Sequence, residues 1–489
     1  MKPKVIVIGS GFSSLSASCY LAKNGCDVTI YEKNDTIGGR AGQLVRDGFT
    51  FDLGPSWYWM PDVFDQFFSD FDKKTSDFYV LKKLNPAYKI FFRDDVVTIG
   101  DGMDQICLEF ERIEKGSSIP LKEYIAKAEK HYRIAMHKIV LRPGISPLEL
   151  VSRDTLFNLD QFFNTIKKEV GKRFKNPKLI ATLEFPILFL GATPNNTPSF
   201  YNFMNFADFG MGTWHPQGGM YRIIEAMEQV AKNLGVTIKT GHPVSKINIT
   251  GRKVTGIQIN EKIKSADVVL SGADYHHSES LLPPEFRQYS EAYWDKKIFA
   301  PSALLFYVGF NTKLKNITHH NLFFDTDFER HTKEIYDDPQ WPKDPLFYAN
   351  FPSISDATMA PTGFENGFFL IPIATGLKDS PELREKYYTI MINRFQKITD
   401  QDLTGKVLFK ESFCVNDFKE NYNSYKGNAY GMANTLRQTA FLRPKLQSRK
   451  LGNLFFTGQL SVPGPGVPPA LISGKLVSEL IIKHLNIRL

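Results

Sequence analysis

The sequence predicts an α/β fold in which a discontinuous Rossmann-type, two-dinucleotide-binding domain carries an inserted α+β domain. Three observations carry that reading. The apolar run Val5-Ile6-Val7-Ile8 enters the glycine turn Gly9-Ser10-Gly11 and then a helix. A second strand, Val28-Thr29-Ile30-Tyr31, ends on an acid, Glu32. The far end of the chain repeats the pattern: Leu454-Phe455-Phe456, a glycine turn at Gly458, Gly464 to Gly466, and a helix from about Pro468.

The first strand is β-branched and apolar throughout, as a strand buried on both faces requires. Gly9 and Gly11 let the backbone approach a pyrophosphate, where the N-terminus of the next helix offers free N–H groups (Gly11, Phe12, Ser13, Ser14) and a positive dipole. Ser14 stands where the third glycine of the motif is expected; that position serves close helix–strand packing, and serine is small enough to be tolerated. Glu32 lies 18 residues beyond Ser14, at the end of the second strand, where a carboxylate meets a ribose hydroxyl; Lys33 follows it. Gly38-Gly39-Arg40 then turns the chain again with a phosphate-compatible arginine, before Asp52-Leu53-Gly54-Pro55-Ser56.

Residues 120–180 read as helical, interrupted by Pro143 and Pro147, and residues 194–198 as a loop. Gly218-Gly219 opens a helix to about Leu234, followed by a strand at 236–239 and short alternating strands at 246–249 and 253–259. The apolar runs at 299–310 and 368–375 are strand-length, and a helix is expected at 381–395. The C-terminal glycine turn lacks a following strand and acid, which favours one discontinuous domain over two separate nucleotide domains. The expected division is 1–80, 216–278 and 426–489 for the nucleotide domain, and 81–215 with 279–425 for a substrate- and membrane-facing domain.

Bulk composition narrows the partners. The net charge is +8, yet no arginine-rich tail, zinc spacing or RNA-binding aromatic motif supports nucleic acid; an anionic lipid surface fits better. Forty phenylalanines and twenty tyrosines suit a large apolar cavity or an aromatic core. Four cysteines without a C-x-x-C pair read as reduced thiols in a cytoplasmic protein. The first strand begins at about residue 4, leaving no room for a signal peptide, and no uncharged apolar run reaches spanning length. No metal site is expected.

Together these motifs resemble the phytoene desaturase type of carotenoid desaturase, within the flavin amine oxidase superfamily. The resemblance runs through Gly9 to Ser14, Glu32, Gly38 to Arg40, Gly48 to Ser56, Trp214 to Gly219, Asp356 with Ala360-Pro361, Gly427 to Gly431, Phe441 to Pro444, and Thr457 to Pro468. Gln459 and Pro469 depart from the usual terminal motif. The resemblance implies FAD as cofactor: its pyrophosphate at Gly9, Gly11, Phe12, Ser13 and Ser14, its ribose at Glu32 and Lys33, its phosphates and flavin side at Gly39 and Arg40 with Pro55 and Ser56 following, its adenine at Val244, and its flavin at Gly458, Gln459, Val467 and Pro468. Glu149 is the expected catalytic acid/base, by alignment with an acid near the flavin in relatives; Arg153 falls one residue away from the matching arginine, a place Ser152 takes.

The implied reaction is hydride transfer from a C40 carotene to flavin, phytoene toward lycopene, with 3,4-desaturation of a hydroxylated carotenoid or carotenoid isomerisation as alternatives. From other classes, a flavin amine oxidase or a pigment-binding flavoprotein without turnover would share the motifs. No second nucleotide motif is evident, so oxygen or a quinone is the expected electron acceptor. Leu159, Phe162, Phe163, Ile166, Val170 and Phe174 follow a helical period with Lys167, Lys168, Lys172, Arg173 and Lys175 interleaved. That pattern suits a helix lying on the inner membrane face, or equally a helix packed on the protein core.

Overall fold

The structure is a computed structural model that describes residues 2–150, 164–191, 193–435 and 437–487. Its nucleotide half is built on a five-stranded parallel sheet. β1 (Lys4–Ile8) is central, with β2 (Asp27–Tyr31) and then Thr237–Lys239 on one side and Val268–Ser271 and then Leu454–Phe456 on the other. Val5 pairs with both Val28 and Val268, so the apolar run sees strands on either hand and is buried after Lys4. The helix α1 (Phe12–Lys23) follows β1 directly and packs against the C-terminal helix Val467–His484.

Two small residues set these close approaches. A Cβ on Gly272 would collide with Ser14 Oγ and lie 3.3 Å from Ser14 Cβ. The serine at the motif's third position is thus accommodated by a glycine on the facing strand end. A Cβ on Gly474 would lie 2.5 Å from the Ser13 carbonyl oxygen and 2.6 Å from Ser16 Cβ, and Ser16 Oγ donates to the Leu471 carbonyl at 2.8 Å. The two helices therefore cross backbone to backbone.

The strands of this sheet come from residues 4–31, 237–271 and 454–456. The intervening chain forms a seven-stranded sheet in the order Val407–Phe413, Ser302–Phe310, Glu365–Ile373, Phe347–Asn350, His320–Phe323, Tyr88–Phe91, Val96–Ile99. It is antiparallel except where His320–Phe323 runs beside Tyr88–Phe91. All nine residues of Ser302–Phe310 are buried, and alternation divides them. Leu304, Phe306 and Val308 join the core beneath the helix Pro381–Thr399, with Met391 and Phe395. Ala303, Leu305 and Tyr307 join the larger core on the opposite face. Among the described residues no helix is long and apolar enough to cross a membrane.

The expected interfacial helix is corrected in its described part. The helix Ile166–Gly171 buries Ile166 and Val170 completely, and Phe174 just beyond it is 1% exposed. Two of the five interleaved cations are also engaged: Lys167 pairs with Glu329, and Arg173, just beyond the helix, lies 3.0 Å from Glu169. The apolar face is satisfied by protein, as the same periodicity also allowed. Leu159, Phe162 and Phe163 lie outside the described residues.

Candidate active site: a dinucleotide cradle opening into an apolar cavity

One cavity of about 920 Å³ joins the end of the parallel sheet to the inner face of the seven-stranded sheet. Gly9, Gly11, Phe12, Ser13, Glu32, Lys33, Gly39, Arg40, Pro55, Ser56, Val244, Gly458, Gln459, Val467 and Pro468 all line it. Ser14 does not; it sits behind the wall against Gly272.

The cradle is built from chain turns that converge. Gly9 has φ +87° and Gly458 φ +108°, conformations that L side chains rarely adopt. A Cβ on Gly458 would lie 3.3 Å from Ser13 Oγ, so the C-terminal turn is pressed onto the start of α1. Gly11 bridges Gly38, which brings the second glycine turn beside the first. Both α1 and the helix Val467–His484 begin at the cavity wall; α1 presents the N–H groups of its first turn and its positive dipole end, while the second helix, opening on Val467-Pro468-Pro469, contributes its dipole and little more than the Val467 N–H.

Glu32 closes one end of the cradle. Its carboxylate accepts from the Ser10 N–H at 2.8 Å, from Ser10 Oγ at 2.7 Å and from the Asn34 N–H at 2.9 Å. The His242 N–H donates to the Glu32 carbonyl at 2.7 Å, which ties the 241–244 segment, and with it Val244, to this corner. Lys33 turns its ammonium to the Glu420 carbonyl and, at 3.5 Å, to Asn423, so it holds a strap from 420–423 across the cradle. Burial lowers its pKa.

Arg40 supplies the test of what the cradle fits. It is a half-buried cation whose guanidinium donates to two neutral acceptors, Ser424 Oγ at 3.0 Å and the Asn428 carbonyl at 3.4 Å. Its Nε has no partner among the described residues. Burial lowers its pKa, partly offset by the charge of Asp274. A cation bonded to neutral acceptors, one N–H unused, beside two helix N-termini, is the donor set for a diphosphate. Ser424, Asp274 and Tyr422, whose ring lies 5.3 Å from the guanidinium, were not singled out in the sequence because they meet Arg40 only through the fold; Asn428 lies within the Gly427 to Gly431 segment.

Beyond Ser56 the wall turns apolar, with Trp57, Phe185, Leu188, Leu305, Phe324 and Leu370 among its residues. Polar groups are few there. Tyr336 Oη is buried without a hydrogen-bond partner among the described residues. Tyr348 Oη meets Ser56 Oγ at 3.0 Å and His320 Nδ1 at 2.7 Å.

Glu149, the expected acid/base, is engaged with its own loop. It lines the cavity, but its two oxygens accept from the Gly144 N–H at 2.8 Å and the Ile145 N–H at 3.0 Å. The carboxylate closes its own loop, which is the commoner use of an acid after a glycine turn. Ser152 and Arg153 lie outside the described residues.

The family model for flavin containing amine oxidoreductases matches residues 12–482. A carotenoid 3,4-desaturase of Haloarcula japonica is 40% identical over 98% of this chain and 98% of its own length. A zeta-carotene-forming phytoene desaturase of Myxococcus xanthus is 30% identical over 98% of this chain and 94% of its own. Among solved structures, cyclohexylamine oxidase from Brevibacterium oxydans superposes with a TM-score of 0.60 at 14% identity, covering 99% of this chain and 100% of that one, a likeness of fold. The diphosphate cradle, the continuous apolar cavity and full-length relatedness agree: the chain belongs to the flavin containing amine oxidoreductases, as an FAD-dependent oxidoreductase of the carotenoid desaturase family.

Proposed function

We propose that this enzyme desaturates the 3,4 bond of an already conjugated, hydroxylated carotenoid. The observation that carries the reading is full-length identity of 40% to a carotenoid 3,4-desaturase, against 30% to a phytoene desaturase. The cavity supports it. On a mainly apolar wall the Tyr336 hydroxyl is buried without a hydrogen-bond partner among the described residues, and a buried unpaired hydroxyl is costly unless a ligand oxygen meets it. Phytoene, a hydrocarbon, offers no such oxygen; the phytoene-to-lycopene reading is therefore second.

FAD, when bound, supplies the two-electron acceptor for the hydrogen pair that leaves the polyene. The chain supplies the rest. Arg40 and the two helix N-termini hold the diphosphate, and Glu32 faces the ribose. The aromatic wall excludes water and aligns the chain of the substrate. Oxygen or a quinone is the proposed final acceptor.

The substrate dissolves in lipid, so we further propose a cytoplasmic protein that docks on the inner, anionic membrane face. Support comes from the rim of the cavity rather than from the helix expected at first. Val140, Arg142, Gly144 and Glu149 line the cavity, while Leu141, Ile145 and Leu148 between them are exposed by 43%, 62% and 76%. Three exposed large aliphatics at a cavity mouth, with Arg142 among them, suit a surface that dips into headgroups.

Expression in cells that accumulate only phytoene, and in parallel in cells that accumulate a hydroxylated, conjugated carotenoid, tests the assignment by pigment chromatography. Lengthened conjugation in the second strain alone is expected. Coloured products from phytoene alone would overturn it in favour of a phytoene desaturase.

A further inference from the structure

We propose that Tyr348, backed by His320, takes the proton that leaves the substrate in each desaturation. Removing two hydrogens from adjacent carbons as a hydride and a proton requires a place for the proton, and Glu149 is occupied with its own loop. The Tyr348–His320 pair sits where the cradle meets the apolar cavity. Ser56 follows Gly54, which is pressed so closely on Arg40 that a Cβ there would collide with the Arg40 carbonyl oxygen. Ser56 Oγ lies 3.0 Å from Tyr348 Oη, and both residues line the cavity.

Neighbouring strands fix the pair. Tyr348 lies opposite Leu322 and Asn350 opposite His320, in antiparallel register. Tyr348 Oη is 2.7 Å and Asn350 Nδ2 3.2 Å from His320 Nδ1. The Asn350 amide also donates to the His319 carbonyl at 3.1 Å, which fixes its NH₂ on this side. Nδ1 thus faces donors and is the acceptor nitrogen, leaving the ring proton on Nε2. Tyr348 donates to His320, accepts from Ser56, and keeps a lone pair for the cavity.

Burial keeps His320 neutral at rest, its Nε2 without a hydrogen-bond partner among the described residues, and the stacked Trp57 ring is the group placed to meet its charge. Burial, with His215 nearby, pushes its pKa well below the ordinary histidine value. His319 is held neutral in the same way, Asp356 bonds His215 at 3.0 Å, and Tyr430 faces Tyr348. Trp57 stacks on the His320 ring at 4.0 Å and 9°, a face that stabilises an imidazolium. A weak base suffices, because the proton next to an electron-deficient carbon is far more acidic than imidazolium.

One carbon gives up a hydride to the two-electron acceptor, which bound FAD would supply. At its neighbour the C–H bond breaks and its electron pair becomes the new C=C π bond. The proton joins Tyr348 Oη while the tyrosine's own proton moves to His320 Nδ1. The products are the alkene, neutral tyrosine and imidazolium. Tyr348 is the catalytic residue here, and His320 the positioning residue that stores the charge. The assignment does not depend on which carotenoid is turned over.

The test uses the full-length, FAD-loaded enzyme and whichever carotenoid the wild type desaturates. Flavin content and carotenoid binding are measured first. Tyr348→Phe is expected to keep both and to slow anaerobic single turnover by about 100-fold or more. With substrate deuterated at the proton-losing carbon, its isotope effect should rise above the wild-type value. His320→Gln leaves Tyr348 an acceptor that cannot take a proton, and should be slowed similarly. Tyr348→Phe turning over within about threefold of wild type, with an unchanged isotope effect, overturns the proposal. Recovery of full rate in His320→Gln would overturn the relay to histidine.

Discussion

Gly272 and Ser14 form a reciprocal pair at the heart of the cradle, and exchanging them tests the packing argument. In Gly272→Ala the new methyl would collide with Ser14 Oγ, and would also sit 3.3 Å from Ser14 Cβ and 3.4 Å from Thr457 Cγ2. Rotating the serine hydroxyl relieves only the first of these. Ser14 is fully buried, so the first turn of α1 must move away from the strand end. Overpacking of this kind costs about 1–3 kcal/mol. The shift falls on the N–H groups proposed to hold the diphosphate, and FAD affinity should drop about tenfold for each 1.4 kcal/mol lost there. Ser14→Gly restores the glycine of the usual motif at a helix cost of about 1 kcal/mol. In the double variant the collision is gone: FAD affinity should return close to wild type and the thermal midpoint to that of Ser14→Gly alone, a coupling of about 1–3 kcal/mol. Fluorescence titration of FAD into apoprotein and thermal melts with and without FAD read both quantities. Wild-type FAD affinity in Gly272→Ala, or no recovery on adding Ser14→Gly, would refute the reasoning.

Three further outcomes are expected. Arg40→Met should weaken FAD binding by roughly 10- to 150-fold, the loss of charge-assisted hydrogen bonds worth about 1.5–3 kcal/mol, checked by equilibrium dialysis of FAD. Glu149→Gln should leave turnover within about threefold of wild type while making the 144–149 loop more sensitive to proteolysis; the loss of about 100-fold or more seen when a general base is removed would restore Glu149 to that role. Asp208 is buried, which raises its pKa from 3.8 to about 8 despite hydrogen bonds from Tyr88 and Thr213. The unfolded carboxyl ionises near 3.8 and the folded one only near 8, so this group's contribution to stability is present at low pH and is lost as pH rises between those values. Asp208→Asn should flatten that decline, seen as a higher thermal midpoint at pH 8 and little change at pH 4, whereas parallel curves for the two proteins would contradict it.

The cradle was legible because its residue types are forced by backbone geometry. Gly9 and Gly458 occupy conformations other residues avoid, and Glu32 must end a strand of fixed length. Gly39, Arg40, Val467 and Pro468 lie beside them on the cavity wall. The apolar runs behind the seven-stranded sheet were visible as strands, since nine consecutive buried residues leave little else. What stayed hidden is what register creates. Tyr348 and His320 are unremarked in sequence, and become a pair only when Phe347–Asn350 lies beside His320–Phe323. Tyr336 reads as a helix residue until its hydroxyl is seen buried without a partner. Periodicity gave Ile166, Val170 and Phe174 one face but not what covers it; a stripe meets lipid and protein core with the same spacing. Glu149 was placed by counting residues, and counting does not reveal that Gly144 and Ile145 already hold both oxygens.

We propose that the cradle and the apolar cavity form one redox site for a hydroxylated, conjugated carotenoid. The most direct measurement mixes the FAD-loaded protein anaerobically with that carotenoid and follows flavin and pigment absorbance together. Bleaching of the flavin with an equal amount of pigment of longer conjugation is expected, and no bleaching with a simple amine. A flavin that stays oxidised beside bound carotenoid, or one that an amine reduces, would contradict it.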